Sequence, residues 1–460
     1  MNLAPYILSI DIGTTHLKFT LCKELKVAYQ ISKTYTDIQK NAMDYSLNTN
    51  EILSLITKGI QEIIAATSLE KLDIVLTSAM HSVQLLTPDL QLDGRLLTWA
   101  DLHGKQLVDC LDDKQQSQYL RTGTPIHSMN PFYKIKEKVL QGASIGKIGS
   151  IKDVVIYHLT KNWVLDESCA SSTGLFHTQK RVWDKEILNG LQLTEAQLPQ
   201  VVAGNTAFVL REDVLKNYQL KAGRLFVGYS DGVSSNGLFK KEQQMAVLSI
   251  GTSHAVRMLT AQPLVDSTMM NFCYIVDADR YIVGFPSNNG GNVLEWLREV
   301  FRTSFEEIER IVQEKRVPQS IFLPFLNGER SPIWNDYAKA SFYKIDRETT
   351  RDDLIYSIVL GMMFTIRKNV ESLMAMHSFQ KIAITGGFSK SSVLSQLLAD
   401  ILQLPLYLPQ VENIETLGTL QLLTDGMIEV DYLILVPREA PELHIAYQQF
   451  KAQLEKEYGN

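Results

Sequence analysis

Two segments of this 460-residue chain place a Gly-Thr pair at the end of an apolar run: residues 8–19 read LSIDIGTTHLKF and residues 248–258 read LSIGTSHAVRM. Glycine lets a backbone approach an anion closely, successive N–H groups form a concave donor nest, and the hydroxyls add further donors. Two such turns suit a nucleoside triphosphate. Asp11 precedes the first turn, whereas Ser249 holds its place in the second. One carboxylate beside one phosphate loop suits Mg2+, which keeps several waters and takes few protein ligands. Gly386-Gly387 is a bare stretch of backbone that would accept the flat face of an adenine or its ribose. Asp231, in VGYSDGVSSNG, reads locally as an Asp-Gly turn, but in phosphoryl transfer such a carboxylate orients the attacking hydroxyl and accepts its proton. Met80 and His81, flanked by Ser78 and Ser82, together with Trp99 and Asp101, set polar groups beside an aromatic ring. That combination suits a polyhydroxy ligand.

The elements that must carry these groups alternate between strands and helices. Each Gly-Thr pair joins two apolar runs, which predicts a β-hairpin. Aligning Gly13 with Gly251 also pairs Thr14 with Thr252, Thr15 with Ser253 and His16 with His254, slightly more than half the chain apart. A duplicated chain of two α/β halves follows, residues 1–236 and 237–460, with the apolar pattern broken at NGLFKKEQ. Asn50 is expected to cap a helix carrying Ile52, Leu53, Ile56, Ile60, Ile63 and Ile64, and a strand follows at 73–76. Residues 381–385 read as a strand ending at Gly386-Gly387, where ligands of α/β sheets collect. Ser391 then caps a helix with Val393, Leu394, Leu397, Leu398 and Ile401 inward, and Gly290-Gly291 open one carrying Val293, Leu294, Leu297 and Val300.

Composition narrows the class. A hydrophobic fraction of 45% with 21% charged residues excludes global disorder. The net charge of −6 argues against a nucleic-acid partner. No run approaches the ~20 apolar residues of a membrane span, and no basic segment leads into a long apolar one. Cys22, Cys110, Cys169 and Cys273 show no paired spacing, which points to neither a zinc site nor a disulfide framework. A cytoplasmic location is the expectation.

These motifs, in this order from Ile7 to about Gly418, resemble those of the FGGY carbohydrate kinases within the actin-like ATPase superfamily. LSIDIGTT is similar to the first phosphate loop, SAMHSV and LTWAD to sugar-contacting segments, and YSDGVSSN to the catalytic-aspartate segment. VLSIGTSHAVR is similar to the second phosphate loop and ITGGFSKSSVLSQLLADIL to the adenosine motif. The resemblance implies two ribonuclease-H-like domains around a central cleft, closing on ATP, Mg2+ and a small sugar or sugar acid. It implies Asp231 as general base, Asp11 at Mg2+, and Gly13, Thr14, Thr15, Gly251 and Thr252 at phosphate. Gly386, Gly387 and Phe388 would flank adenosine, while Met80, His81, Trp99, Asp101 and His127 would face the sugar. Within the family, SAMHSV, TWAD, RTGTPIH, SDGVSSN, IGTSHAVR and SNNGG are most similar to gluconate kinases. The implied reaction is ATP-dependent phosphorylation of D-gluconate to 6-phospho-D-gluconate, with xylulose or another sugar as the alternative acceptor. A non-catalytic ATP-binding protein of the actin-like kind is disfavoured by the presence of both Asp11 and Asp231. No helix-turn-helix precedes the first predicted strand, so a DNA-binding sugar sensor is not expected. The resemblance also admits a homodimer.

Three departures from the family pattern stand out. Leu102 and His103 occupy places where an Asx and an Arg commonly follow the Trp-x-Asp segment, and His103 would be a weaker, pH-dependent substitute for that arginine. SLNTNEIL lacks the usual acidic and proline-bearing wording, and SFYKI lacks the usual glycine. All three leave the catalytic groups in place.

Overall fold

The computed structural model describes residues 4–41, 43–108, 112–242, 244–424 and 428–459. The chain packs as two compact units. The first comprises Met1–Lys240, Thr260–Ile282 and Asn413–Ile428; the second comprises Lys241–Leu259, Val283–Glu412 and Glu429–Asn460.

In the first unit, strand Tyr6–Ile12 pairs antiparallel with His16–Lys23 and parallel with Lys71–Ser78. Lys26–Thr34 extends one side of the sheet, and Ala222–Ser230 runs parallel to Lys71–Ser78 on the other. Alternation along each strand decides what its two faces do. Leu8, Ile10 and Ile12 share a buried cluster with Leu72, Ile74 and Leu76, and with Ile52, Ile56, Ile60 and Ile63 of helix Thr49–Thr67. Those isoleucines are the inward stripe that their spacing predicts. The cap, however, is Asn48 rather than Asn50. Asn48 Oδ1 accepts from the N–H groups of Asn50 and Glu51 at 3.0 and 3.4 Å, so Asn50 supplies one of the orphan donors that need capping.

Ser9, Asp11 and Thr77 consequently face the other side of the sheet. Helices Asp231–Gly237 and Ile414–Thr424 pack there, the latter contributed from late in the chain. Thr419 Oγ1 lies 3.0 Å from Thr77 Oγ1 and 2.8 Å from Ser234 Oγ. The helices approach at Gly418, where a Cβ would stand 1.9 Å from the Ser234 carbonyl oxygen. Gly418→Ala is therefore expected to force the two helices apart at a cost of roughly 1–3 kcal/mol. Urea unfolding measures this, and an unchanged midpoint would show that the crossing tolerates a methyl group.

The second unit repeats the hairpin. Met245–Ile250 pairs antiparallel with His254–Thr260 and parallel with Lys381–Thr385, and Leu406–Pro409 runs parallel to Lys381–Thr385. Both Gly-Thr pairs thus sit at hairpin tips. Ser391 caps helix Ser392–Leu402 by accepting from the Leu394 N–H at 3.1 Å. Helix Gly291–Phe301 opens at the expected glycines and buries Val293, Leu294 and Leu297. Val300, in its last turn, is 57% exposed, so the inward stripe stops before the helix does.

After strand Ser341–Tyr343, Lys344 adopts φ 55°, a left-handed conformation that favours glycine. This is the segment SFYKI, which lacks the glycine usual in the family. Lys344→Gly should relieve ~1 kcal/mol of backbone strain, partly offset by the greater freedom of glycine in the unfolded chain. A small rise in Tm is the expected result, and a fall would contradict it.

Cys22, Cys169 and Cys273 are buried free thiols, and Cys110 lies outside the described residues. Among the described residues, no helix is long and apolar enough to cross a membrane.

Candidate active site

Asp11 is the penultimate residue of strand Tyr6–Ile12, on the sheet face covered by helix Asp231–Gly237. Asp231 is the first residue of that helix, directly after strand Ala222–Ser230. The turn that its Asp-Gly pair suggests locally is thus replaced by a strand-to-helix junction. Its Oδ1 accepts from the Gly232 N–H at 2.7 Å. Both strands run parallel to Lys71–Ser78, so the two carboxylates lie at the same, C-terminal edge of the sheet. They also sense each other. Burial pushes the Asp11 carboxyl up to about 7, and the negative charges of Asp231 and Glu415 add to the rise against the opposing Lys18 ammonium. A cation at Asp11 would relieve that excess of negative charge, so the residues fit Mg2+. Among the described residues, no three His, Cys, Asp or Glu gather into a metal cage. Mg2+ does not need one, because it binds substrate phosphates and water alongside one or two carboxylates.

A buried network fixes the backbone immediately before Asp231. The Ser230 N–H donates to Ser168 Oγ at 2.8 Å, and that hydroxyl donates to Asp166. Asp166 Oδ1 also accepts from the Ser168 and Cys169 N–H groups at 3.0 and 3.1 Å, while its Oδ2 accepts from Lys152 Nζ at 2.6 Å. Lys152 and Asp166 are both 0% exposed. Sequence reasoning passed over this network. In the sequence Lys152 shows only as a charge within IKDVVIYHL, a largely apolar stretch of helix Ile151–Thr160, and its partner Asp166 lies 14 residues further on.

At the first turn, the Gly13 N–H donates to the His16 carbonyl at 3.1 Å, and the Tyr35 hydroxyl donates to the Gly13 carbonyl at 3.1 Å. Thr14 is half-buried and Thr15 exposed. Gly13, Thr14, Met80, Ser82 and Trp99 line one small pocket, so the first Gly-Thr turn and part of the set expected to face the sugar are neighbours. His81 has φ 65°, unusual for a non-glycine residue and a feature that concentrates at functional sites. Its Nδ1 lies 2.8 Å from the Ser172 carbonyl, an acceptor, so Nδ1 carries the proton. Asp101 is 0% exposed and acts as an organiser of its own loop. Its carboxylate accepts from the Tyr45 N–H at 3.1 Å, and from the His103 N–H at 3.1 Å and ring Nδ1 at 2.9 Å. His103, in the place of the family's arginine, is thereby tied to Asp101. His127 is buried, and its Nδ1 accepts from the Met129 N–H at 3.1 Å. A wider groove between residues 312–317 and 438–443 carries none of the candidate groups.

At the second turn, Gly251 and Thr252 are exposed. The first N–H groups of helix Gly291–Phe301 grip the turn from below: Gly291 donates to the Gly251 carbonyl at 2.7 Å and Asn292 to the Thr252 carbonyl at 3.1 Å. Ser249, in the position corresponding to Asp11, has its Oγ accepting from Arg257 Nη1 at 3.0 Å and Thr385 Oγ1 at 2.9 Å. Gly386 has φ 95°, and a Cβ there would lie 2.4 Å from the Ile250 carbonyl oxygen, so only glycine lets this loop pass the hairpin strand. Gly387 presents open backbone. Phe388, expected beside the adenosine with the two glycines, follows them. It is 8% exposed, while Gly386 and Gly387 are exposed.

The model for the FGGY family of carbohydrate kinases, N-terminal domain, matches residues 6–231, and that for the C-terminal domain matches residues 246–423. The chain is 28% identical over 452 residues to a gluconokinase of Bacillus subtilis (strain 168), covering 90% of this chain and 86% of that one. It superposes on the crystal structure of gluconate kinase from Lactobacillus acidophilus with a TM-score of 0.91 and 27% identity, over 99% of each chain. The crystal structure of ligand-bound xylulose kinase from the same organism gives the same values.

Proposed function

Because this chain belongs to the FGGY family of carbohydrate kinases and shares its actin-like α/β fold, we propose that it transfers the γ-phosphoryl group of ATP to D-gluconate, giving 6-phospho-D-gluconate and ADP. The observation that carries the mechanism is the placement of Asp11 and Asp231 at the same C-terminal edge of one sheet. As the primary hydroxyl oxygen bonds to the γ-phosphorus, its proton passes to the Asp231 carboxylate, and the bond from that phosphorus to the β–γ bridging oxygen breaks. Asp11 would hold Mg2+, which neutralises phosphate charge when bound. Gly13, Thr14 and Thr15 supply phosphate donors from the first unit. In the second unit, Gly251 and Thr252 do the same, and Gly386-Gly387 take the adenosine. Met80, His81, Trp99 and His127 face the sugar acid, with Asp101 holding the Trp99 loop in place.

The gluconokinase of Bacillus subtilis supports gluconate as the acceptor, and the xylulose kinase of Lactobacillus acidophilus supports a ketose as the second reading. ADP release with Mg·ATP and D-gluconate, D-xylulose, glycerol or no sugar separates them. Release that depends on gluconate alone is the expected result. Release with xylulose alone would keep the kinase and discard gluconate.

A further inference from the structure

We propose that Glu329 and Asn369 are positioning residues for nucleotide binding, acting on the Gly251-Thr252 turn through the imidazole of His254. The inference rests on the reading of that turn as a phosphate site.

His254 directly follows the turn and is 1% exposed. Its Nδ1 lies 2.6 Å from the Asn289 carbonyl, which can only accept, so Nδ1 carries a proton. Its Nε2 lies 3.2 Å from Asn369 Nδ2, which can only donate, so Nε2 is an acceptor. One neutral tautomer satisfies both. Burial acts in the same direction, holding the ring's pKa down to about 4. Asn369, 0% exposed within helix Arg351–Met376, is itself oriented: Nδ2 donates to the Ser331 carbonyl at 3.2 Å and Oδ1 accepts from Ser331 Oγ at 3.0 Å.

Glu329 secures the other side of the ring. It is 0% exposed and accepts from Ser287 Oγ at 2.7 Å, the Asn288 N–H at 2.9 Å, Asn289 Nδ2 at 3.0 Å and the Arg330 N–H at 2.8 Å. One buried carboxylate therefore sets the segment whose Asn289 carbonyl holds His254. The next two residues hold the turn itself. A Cβ on Gly290 would stand 2.6 Å from the Ser253 carbonyl carbon, and one on Gly291 would stand 2.6 Å from the Gly251 carbonyl oxygen. The turn is thus held through its backbone and through the side chain that follows it. His16, the counterpart in the sequence repeat, is exposed, and its Nδ1 lies 2.9 Å from the Thr15 hydroxyl next to it. The clamp is a property of the second copy. A turn held in its binding geometry before the ligand arrives spends less ordering entropy on phosphate.

The test is calorimetric titration with ADP, alongside KM for ATP and for the sugar substrate. Glu329→Gln puts an amide donor against donors, and Asn369→Ala removes the Nε2 partner. Each should raise the Kd for ADP and the KM for ATP on the order of tenfold, the effect of losing one well-placed buried hydrogen bond. The sugar KM should not move. His254→Asn, which keeps a donor for the Asn289 carbonyl, should fall between the wild type and His254→Ala, and it carries the test if Glu329→Gln does not fold. A lower Tm with unchanged ADP affinity, or equal rises in both KM values, would overturn the inference. Gly251→Val separates it from the underlying reading, because the added side chain has open space around it. Unchanged ADP binding in Gly251→Val would remove the phosphate site and the inference together. Weakened binding there, with Glu329→Gln behaving as wild type, would remove the inference alone.

Discussion

Asp231→Asn should lower kcat roughly 10²–10⁴-fold, the range expected for removal of a positioned general base, while ADP binds as before. Asparagine matches aspartate in size, and its Oδ1 can still accept from the Gly232 N–H that Asp231 now engages at 2.7 Å. The helix start and the Ser230–Ser168 anchor should therefore persist. What disappears is an acceptor for the hydroxyl proton. The substitution also removes one of the charges that hold the Asp11 carboxyl up to about 7, so Asp11 should ionise at lower pH in the variant. Initial rates with the acceptor sugar, set beside calorimetry with ADP, read the two effects separately. Near-normal turnover would sink the base assignment.

Asp166→Ala should cost about 3–5 kcal/mol of stability, the usual result of stranding one member of a buried ion pair. Lys152 Nζ is 2.6 Å from Asp166 Oδ2, and both residues are fully enclosed, so the ammonium left behind has neither counter-charge nor water. The loss extends to the site, because Asp166 orients the Ser168 hydroxyl that receives the Ser230 N–H. Combining Lys152→Met with Asp166→Asn should recover most of that stability, since asparagine keeps an acceptor for Ser168 and Cys169 and no charge remains buried. Equal losses in the single and double variants, by urea unfolding, would show that the charges are not what the pair contributes.

The hairpins were legible because a Gly-Thr pair between apolar runs is a local signal, and local signals need no knowledge of the remaining fold. The same holds for Ser391 as a cap and for the isoleucine stripe of helix Thr49–Thr67. Where several residues offer the same local chemistry, the pattern falls short. Asn48, Thr49 and Asn50 are all capable caps, and only the path of the chain selects Asn48. Asp231 reads as a turn because the Ser230 N–H before it is held by Ser168, 62 residues from Ser230 in sequence and invisible to a local reading. Lys152, Glu329 and Asn369 appear in sequence as polar residues whose partners are unknown, although each turns out to sit in a buried hydrogen-bond network.

Helix Ile414–Thr424 bears on how the chain is made. The ribosome releases residues 1–240 well before this helix exists, an interval on the order of ten seconds at typical elongation rates. Throughout it, the sheet face that carries Asp11 and Thr77 lacks the cover that Thr419 and Gly418 later supply. The first unit is begun first and finished late. A fragment cut at residue 240 would therefore be an interrupted folding intermediate rather than a domain, and an excised version would have to carry residues 260–282 and 413–428 grafted back onto it.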